Sequence, residues 1–235
     1  MMIKNRFEFR WFSHFRAGNA DAECLELMKQ SGCMAVFLGI ESGDQGVLNH
    51  MNKAAKVERY AWAIEQLHKQ GIISFASFIV GFPGETQESV RRTIEFIEST
   101  APDFYQAALY YHYQATPIHQ KRTEHGIRGD AYSWRHNTMT WQEAAASVEF
   151  MYRTVNHSTI LPIFGFDFFG IPYFLKKNIS LEQFSGFLGI AKSMLVESYP
   201  DRPVDFSGRE QQLGQLFASD RHVSSPPLPV VTGQP

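Results

Sequence analysis

The sequence predicts an α/β fold with a parallel sheet. Three observations carry that prediction. β-rich runs alternate with amphipathic helical stretches at intervals of very roughly 30 residues. Two of those runs are nearly continuous apolar segments, as expected for strands covered on both faces. The helical stretches end at glycines and begin at capping residues.

The first strand is expected over Phe7 to Phe15 and the first helix after Asp21, where Leu25 and Met28 stand three apart before a stop at Gly32. Ala35 to Ile40 is the second strand. Val57, Tyr60, Ala61, Ile64 and Leu67 then form the apolar stripe of a helix that ends at Gly71. Ile72 to Val80 is the third strand. Thr86 is a good N-cap for a helix carrying Val90, Ile94 and Ile97, with Glu88 favourable in its first turn. Tyr105 to Tyr113 is the fourth strand.

After about Pro117 the rhythm changes. Gln120 to Trp134 is polar and irregular, a surface excursion with Gly126 and Gly129. Capping boxes at Thr140–Glu143 and Ser180–Gln183 open two further helices. Between them, Ile163 to Phe174 packs six aromatics into twelve residues and is expected to serve as core for docked helices or as a pocket wall. Ser224 to Pro235 has four prolines and no charge, so it is expected to be a disordered tail. The expected organisation is 1–118 as the sheet-bearing part, 119–200 as a helical region and 201–235 as a mostly irregular tail.

Composition bounds the function. A formal charge of −2 excludes a broad basic surface for nucleic acid. No apolar run approaches the roughly 20 residues that span a bilayer. Two cysteines, Cys24 and Cys33, exclude a disulfide framework and point to a reducing cytoplasm. Both are expected to be small buried hydrophobes. His112 and His119 stand seven apart with no carboxylate or cysteine at regular spacing, so no metal site is assigned to them. Thirty-three aromatic residues, twenty of them Phe, exceed the needs of one core.

In parallel α/β folds ligands bind at the carboxyl ends of strands, which here read Leu38-Gly-Ile-Glu-Ser-Gly43, Ile79-Val-Gly-Phe-Pro-Gly-Glu-Thr86 and Tyr110-Tyr-His-Tyr-Gln-Ala-Thr-Pro117. Together with Leu48 to Lys53 and Gly71-Ile, in this order and spacing, they resemble the radical S-adenosylmethionine (SAM) superfamily, and more narrowly its cobalamin-binding branch, over roughly residues 7 to 117. The resemblance implies a partial, TIM-like (βα)6 barrel holding SAM against a [4Fe–4S] cluster. It implies that Glu41 and Ser42 contact the ribose and amino-acid portion of SAM, that Ile79 and Gly81 lie beside the adenine, and that Tyr111 to Tyr113 stand on the far side of the cofactor. Arg16 is a candidate for a carboxylate contact. Thr116-Pro-Ile118, Trp134 to Met139 and Phe166 to Phe169 resemble the carboxyl-terminal region of cobalamin-type members related to phosphinate P-methyltransferases.

One departure from the family pattern stands out. Cys24 and Cys33 are nine apart and there is no third cysteine, so the C-x3-C-x2-C loop of the cluster cannot be built from this chain. The expectation is therefore the carboxyl-terminal part of a cobalamin-dependent methyltransferase or related enzyme of specialised metabolism, beginning at the third barrel strand and not catalytic alone. No catalytic residue is assigned. The cluster and cobalamin would come from a separate polypeptide, and the substrate would be a small or carrier-bound molecule. The first strand would then present an open, sticky edge, making the isolated chain poorly soluble or dependent on that partner. Two alternatives stay open: a non-catalytic accessory module, and a barrel lyase using Glu41 as base.

Overall fold

A computed structural model of the chain describes residues 3–4, 8–161, 168–197 and 206–218. They divide into two compact units, one ending at Phe168 and the other beginning at Phe169. The boundary expected after residue 118 therefore falls inside the first unit, because the second half adds a helix and a strand to the same sheet.

The first unit runs β1 (Trp11–His14), α1 (Ala22–Gln30), β2 (Cys33–Glu41), α2 (Gln45–His50), α3 (Val57–Gln70), β3 (Ile73–Val80), α4 (Gln87–Thr100), β4 (Phe104–Leu109), α5 (Pro117–Gln120), β5 (Arg128–Asp130), β6 (Ser133–Arg135), α6 (Trp141–Thr154) and β7 (Thr159–Ile160). β1, β2, β3, β4 and β7 form one sheet in that order, and every pair is parallel. This is the α/β wall of a partial barrel. A two-residue fifth strand joins the four expected ones, too short to show as a β run in the sequence.

Period-two alternation sorts the side chains. Val36, Leu38, Ile40, Ala76, Phe78, Val80, Tyr105 and Ala107 belong to one core with Leu25, Ile64, Leu67, Val90, Ile97 and Met151 of the helices. On the opposite face Phe12, Phe37 and Phe75 meet the buried ring of Phe168, at centroid distances of 5.5, 5.7 and 5.7 Å. Both faces are thus covered, which explains the unbroken apolar runs of β2 and β3. Part of the aromatic excess belongs to this second cluster.

The end signals work as physical chemistry predicts. Gly71 closes α3 in the left-handed conformation, φ 59°. Thr86 caps α4, with Ser89 rather than Glu88 completing the box, and Thr140 and Glu143 close the box of α6. Such caps contribute about 1 kcal/mol each. The polar excursion contains an ordered antiparallel hairpin, β5–β6, whose only buried side chain is Trp134. Its three-residue strands carry no apolar alternation that the sequence could display. β4 also ends earlier than expected, at Leu109.

Phe7, Pro162 to Asp167 and the tail from Ser219 onward lie outside the described residues. Cys24 is exposed on α1, contrary to the expectation of burial, whereas Cys33 is buried. The second unit holds α7 (Gly170–Lys176), α8 (Leu181–Glu197) and α9 (Phe206–Ala218). Ser180 and Gln183 cap α8 reciprocally at 3.1 and 2.9 Å. Among the described residues no helix is long and apolar enough to cross a membrane.

Candidate functional site

Because the five strands are parallel, their carboxyl ends share one edge. β2 ends there at Glu41, a non-glycine residue held at φ 70°. A left-handed conformation in such a residue costs of order 1–3 kcal/mol and persists only where its surroundings impose it. The register of β2 against β3 shifts between Gly39 and Glu41, which re-aims the carboxylate. It folds back over Gly39, where an added Cβ would lie 2.7 Å from Glu41 Oε1 and would push the carboxylate aside.

Lys53, in the loop after α2, donates to Glu41 Oε1 at 2.9 Å and also to the Gly39 carbonyl. Both side chains of the pair keep about a quarter of their surface exposed, at 25 and 24%. Tyr60 of α3 donates to the same carbonyl at 3.2 Å. Its phenol is pushed up to about 12 by burial and then by the Glu41 charge, while Arg16 acts in the opposite direction. Arg16, Glu41, Lys53 and Tyr60 therefore share one electrostatic neighbourhood at the ends of β1 and β2, with an exposed guanidinium at Arg16.

Ser42 is turned the other way. It is fully buried, its hydroxyl 3.2 Å from that of Thr93 and accepting from the Asp44 N–H at 3.1 Å. That hydroxyl fastens the strand end to α4, so a contact from Ser42 to a ligand would have to come from its backbone. Asp44 caps α2 through Val47 N–H at 2.8 Å and pairs with Arg92. Burial works against its ionisation, but the Val47 N–H and Arg92 outweigh it and hold the carboxyl below its usual range.

Ile79 is half-buried near the end of β3, opposite Ala108 of β4. Two residues on, Gly81 adopts φ 94° and is buried. A Cβ there would stand 2.4 Å from Trp134 Cη2, so Gly81 packs closely beneath the hairpin. Its N–H donates to Glu85 Oε2 at 2.5 Å, and its carbonyl accepts from His136 Nε2 at 3.1 Å. The second bond fixes the tautomer, leaving Nδ1 to accept from Thr138 N–H. Glu85 is 1% exposed, and burial raises its carboxyl from 4.5 to about 7. Burial also lowers the pKa of His136.

Tyr111 is 49% exposed and stands edge-on to Tyr132, with ring centroids 4.9 Å apart. Beside it Tyr110 Oη, His112 and His119 form a hydrogen-bonded row with spacings of 3.0 and 3.1 Å. His112 is held below its usual pKa by burial and then by His119, with Asp130 opposing. Among the described residues no group of three or more His, Cys, Asp or Glu side chains is placed to hold a metal ion.

Residues 4–97, which contain Arg16, Glu41, Lys53, Tyr60, Gly81 and Glu85, match the Radical SAM superfamily. The matched segment is 94 of the 235 residues. An uncharacterised methyltransferase of Pyrococcus horikoshii is 30% identical over 111 residues, which are 47% of this chain and 24% of the relative. An anaerobic magnesium-protoporphyrin IX monomethyl ester cyclase of Rubrivivax gelatinosus is 34% identical over 90 residues, 38% of this chain and 16% of the relative. The chain thus spans less than a quarter of either curated relative. Among solved structures, Elp3 of the archaeon Methanocaldococcus infernus superposes with a TM-score of 0.53 at 14% identity, over 74% of this chain and 43% of that one. That likeness is one of fold.

The cysteines do not fit a radical SAM cluster. Cys24 is exposed on α1, and Cys33 begins β2 at the opposite edge of the sheet from Glu41, its thiol pushed up to about 11 by burial. Lys53 was not singled out from the sequence, although it closes the family-like Leu48 to Lys53 segment. A lysine in a strand-end loop, next to a strand-end glutamate, was the available signal.

Proposed function

We propose that this chain supplies the SAM-facing and substrate-facing part of a cobalamin-dependent radical SAM enzyme, a methyltransferase or a related group-modifying enzyme of specialised metabolism. The observation that carries the proposal is Glu41, kept in a strained conformation and ion-paired to Lys53 at the carboxyl edge of the sheet. Strain of this kind clusters at active sites and ligand clamps. The pair suits a zwitterionic, hydroxyl-bearing ligand: Lys53 and Arg16 would meet the carboxylate of SAM, Glu41 its hydroxyls or ammonium, and Ile79 the adenine face. Bound SAM would supply an activated sulfonium as the source of the radical or the methyl group. Tyr60 and Lys53, both on the Gly39 carbonyl, hold the strand end in place. Tyr111 stands on the substrate side.

The cluster and the cobalamin would be held by other sequence, in the same polypeptide or a separate one, and the substrate would be a small or carrier-bound molecule. The methyl-transfer choice draws support from the Pyrococcus relative, whereas the Rubrivivax relative is named for a cyclisation. A non-catalytic accessory module is the second reading, favoured by the placement of the two cysteines. Equilibrium dialysis of the full chain against radiolabelled SAM tests the main proposal. Saturable binding that weakens at least tenfold in Lys53→Met and Glu41→Gln is expected. No saturable binding, or binding indifferent to both substitutions, would overturn it.

A further inference from the structure

The β5–β6 hairpin holds two arginines in an arrangement that stability alone disfavours. Arg128 and Arg135 are directly opposed in the antiparallel register, so their side chains leave the same face of the ribbon. Both are exposed. Like charges placed directly opposite one another destabilise a strand pair, and a three-residue hairpin has little stability of its own to spare. Among the described residues Arg91, Arg92, Arg153 and Arg209 each sit in an ion pair with a carboxylate, and Arg10, Arg16, Arg59 and Arg122 do not. Among the described residues neither Arg128 nor Arg135 does, and Asp130, two positions along the same outward face, is not in ion-pair contact with either.

The hairpin is firmly placed. Trp134, between the two outward-facing positions, is 2% exposed and donates to the Tyr110 carbonyl at 2.8 Å. Ala131, at the hairpin's turn, exchanges two backbone hydrogen bonds with His112, at 2.8 and 2.9 Å. His112 lies three residues beyond the end of β4, so the hairpin is pinned to the carboxyl edge of the sheet, the edge that carries Glu41. The same pinning brings Tyr132 against Tyr111, leaving two half-exposed rings at the turn end of the ribbon whose other end carries the arginine pair.

We propose that Arg128 and Arg135 bind the phosphate group of a substrate, with Tyr111 and Tyr132 bearing on the apolar or flat body attached to it. The location rests on the proposed function above, while the phosphate chemistry does not. Two guanidinium forks side by side match a tetrahedral oxyanion bidentately, and an incoming dianion relieves their mutual repulsion. A long polyanion is disfavoured, because the chain as a whole carries a formal charge of −2 and the cationic face is one ribbon wide. The phosphate has two possible sources, a free phosphate ester or the phosphodiester of a carrier protein's prosthetic arm.

The test follows the guanidinium NMR resonances of Arg128 and Arg135 in the full chain, at constant ionic strength, during titration with inorganic phosphate, methyl phosphate and phenyl phosphate. Saturable shifts are expected, with phenyl phosphate tighter than methyl phosphate. Arg128→Ala with Arg135→Ala, titrated on the ring resonances of Tyr111 and Tyr132, which are followed in every variant, should weaken binding at least tenfold, since each charge-assisted contact is worth about a factor of ten. Arg128→Glu, which creates a cross-strand ion pair with Arg135, should keep or raise the urea midpoint and abolish the shifts. That separates ligand binding from folding. A carrier protein with its phosphopantetheine arm, compared with the same protein lacking it, assigns the source: tighter binding than methyl phosphate supports the tethered form, and no gain supports the free ester. Absence of saturable shifts, unchanged affinity in the double variant, or tighter binding of single-stranded RNA with a steep salt dependence would each overturn the proposal. SAM dialysis reads none of these outcomes, so the two proposals fail separately.

Discussion

Replacing Glu85 with glutamine should change how stability depends on pH. Glu85 is 1% exposed, and its carboxyl is raised from 4.5 to about 7, chiefly by burial, with the Gly81 N–H opposing and Asp44 adding. Between those two values the folded chain binds a proton that the unfolded chain does not, so the free energy of unfolding falls as pH rises through the window. A span of two and a half pKa units corresponds to about 3 kcal/mol, an upper figure that water penetration into the folded state would lower. The Glu85→Gln chain keeps an acceptor for the Gly81 N–H but has no charge to bury. Urea unfolding followed by tryptophan fluorescence, between about pH 5 and pH 8, measures both proteins. His112 and His136 contribute the opposite slope, because their lowered pKa values remove stability as pH falls below about 6.5. They are common to both chains, so the difference between the two curves isolates Glu85. The expected result is a gap that opens as pH rises and favours Gln by about 1–3 kcal/mol at pH 8. Parallel curves would refute the reasoning, since the buried carboxylate would then carry no burial cost.

Glu41→Gly should relieve the left-handed strain at φ 70° and leave stability unchanged or higher by up to about 1 kcal/mol, as read from the urea midpoint, while SAM binding falls at least tenfold. A large loss of stability would instead mark the Glu41–Lys53 pair as structural, although a partly exposed pair of this kind is worth about 1 kcal/mol. Gly81→Ala brings two penalties together, a positive φ of 94° and a Cβ placed 2.4 Å from the buried Trp134 ring. A loss of about 3 kcal/mol or more is expected, with a red shift of the tryptophan emission as the indole loosens. A near-neutral effect in the same unfolding assay would show that Trp134 does not depend on that glycine.

Some of this molecule is readable without coordinates because it depends on local signals. The strands β2 and β3 are legible because both faces are covered, and the helix ends because Gly71, Thr86 and Thr140 satisfy backbone groups within a few residues of themselves. The carboxyl edge of a parallel sheet follows from topology, so Glu41, Ile79 and Arg16 could be named from position. Ser42 and Gly81 could not be judged that way. Serine and glycine at a strand end suit a ligand contact and a packing contact equally well, and only the tertiary structure shows their packing partners, Thr93 and Trp134, 51 and 53 residues away in sequence.

The sequence by itself determined the alternation of strands and helices, the shared edge on which a site must stand, and the lack of a third cysteine for a cluster. The tertiary structure decided what long-range contacts alone can decide: that Lys53 meets Glu41, that Glu85 accepts from the Gly81 N–H while His136 donates to the Gly81 carbonyl, and that Arg128 faces Arg135. The physical reason is the range of the forces involved. Caps, turns and periodicity act within one or two helical turns of chain. Ion pairing, burial of a carboxylate and strand register depend on which distant segments share a few ångströms, and no local pattern encodes that.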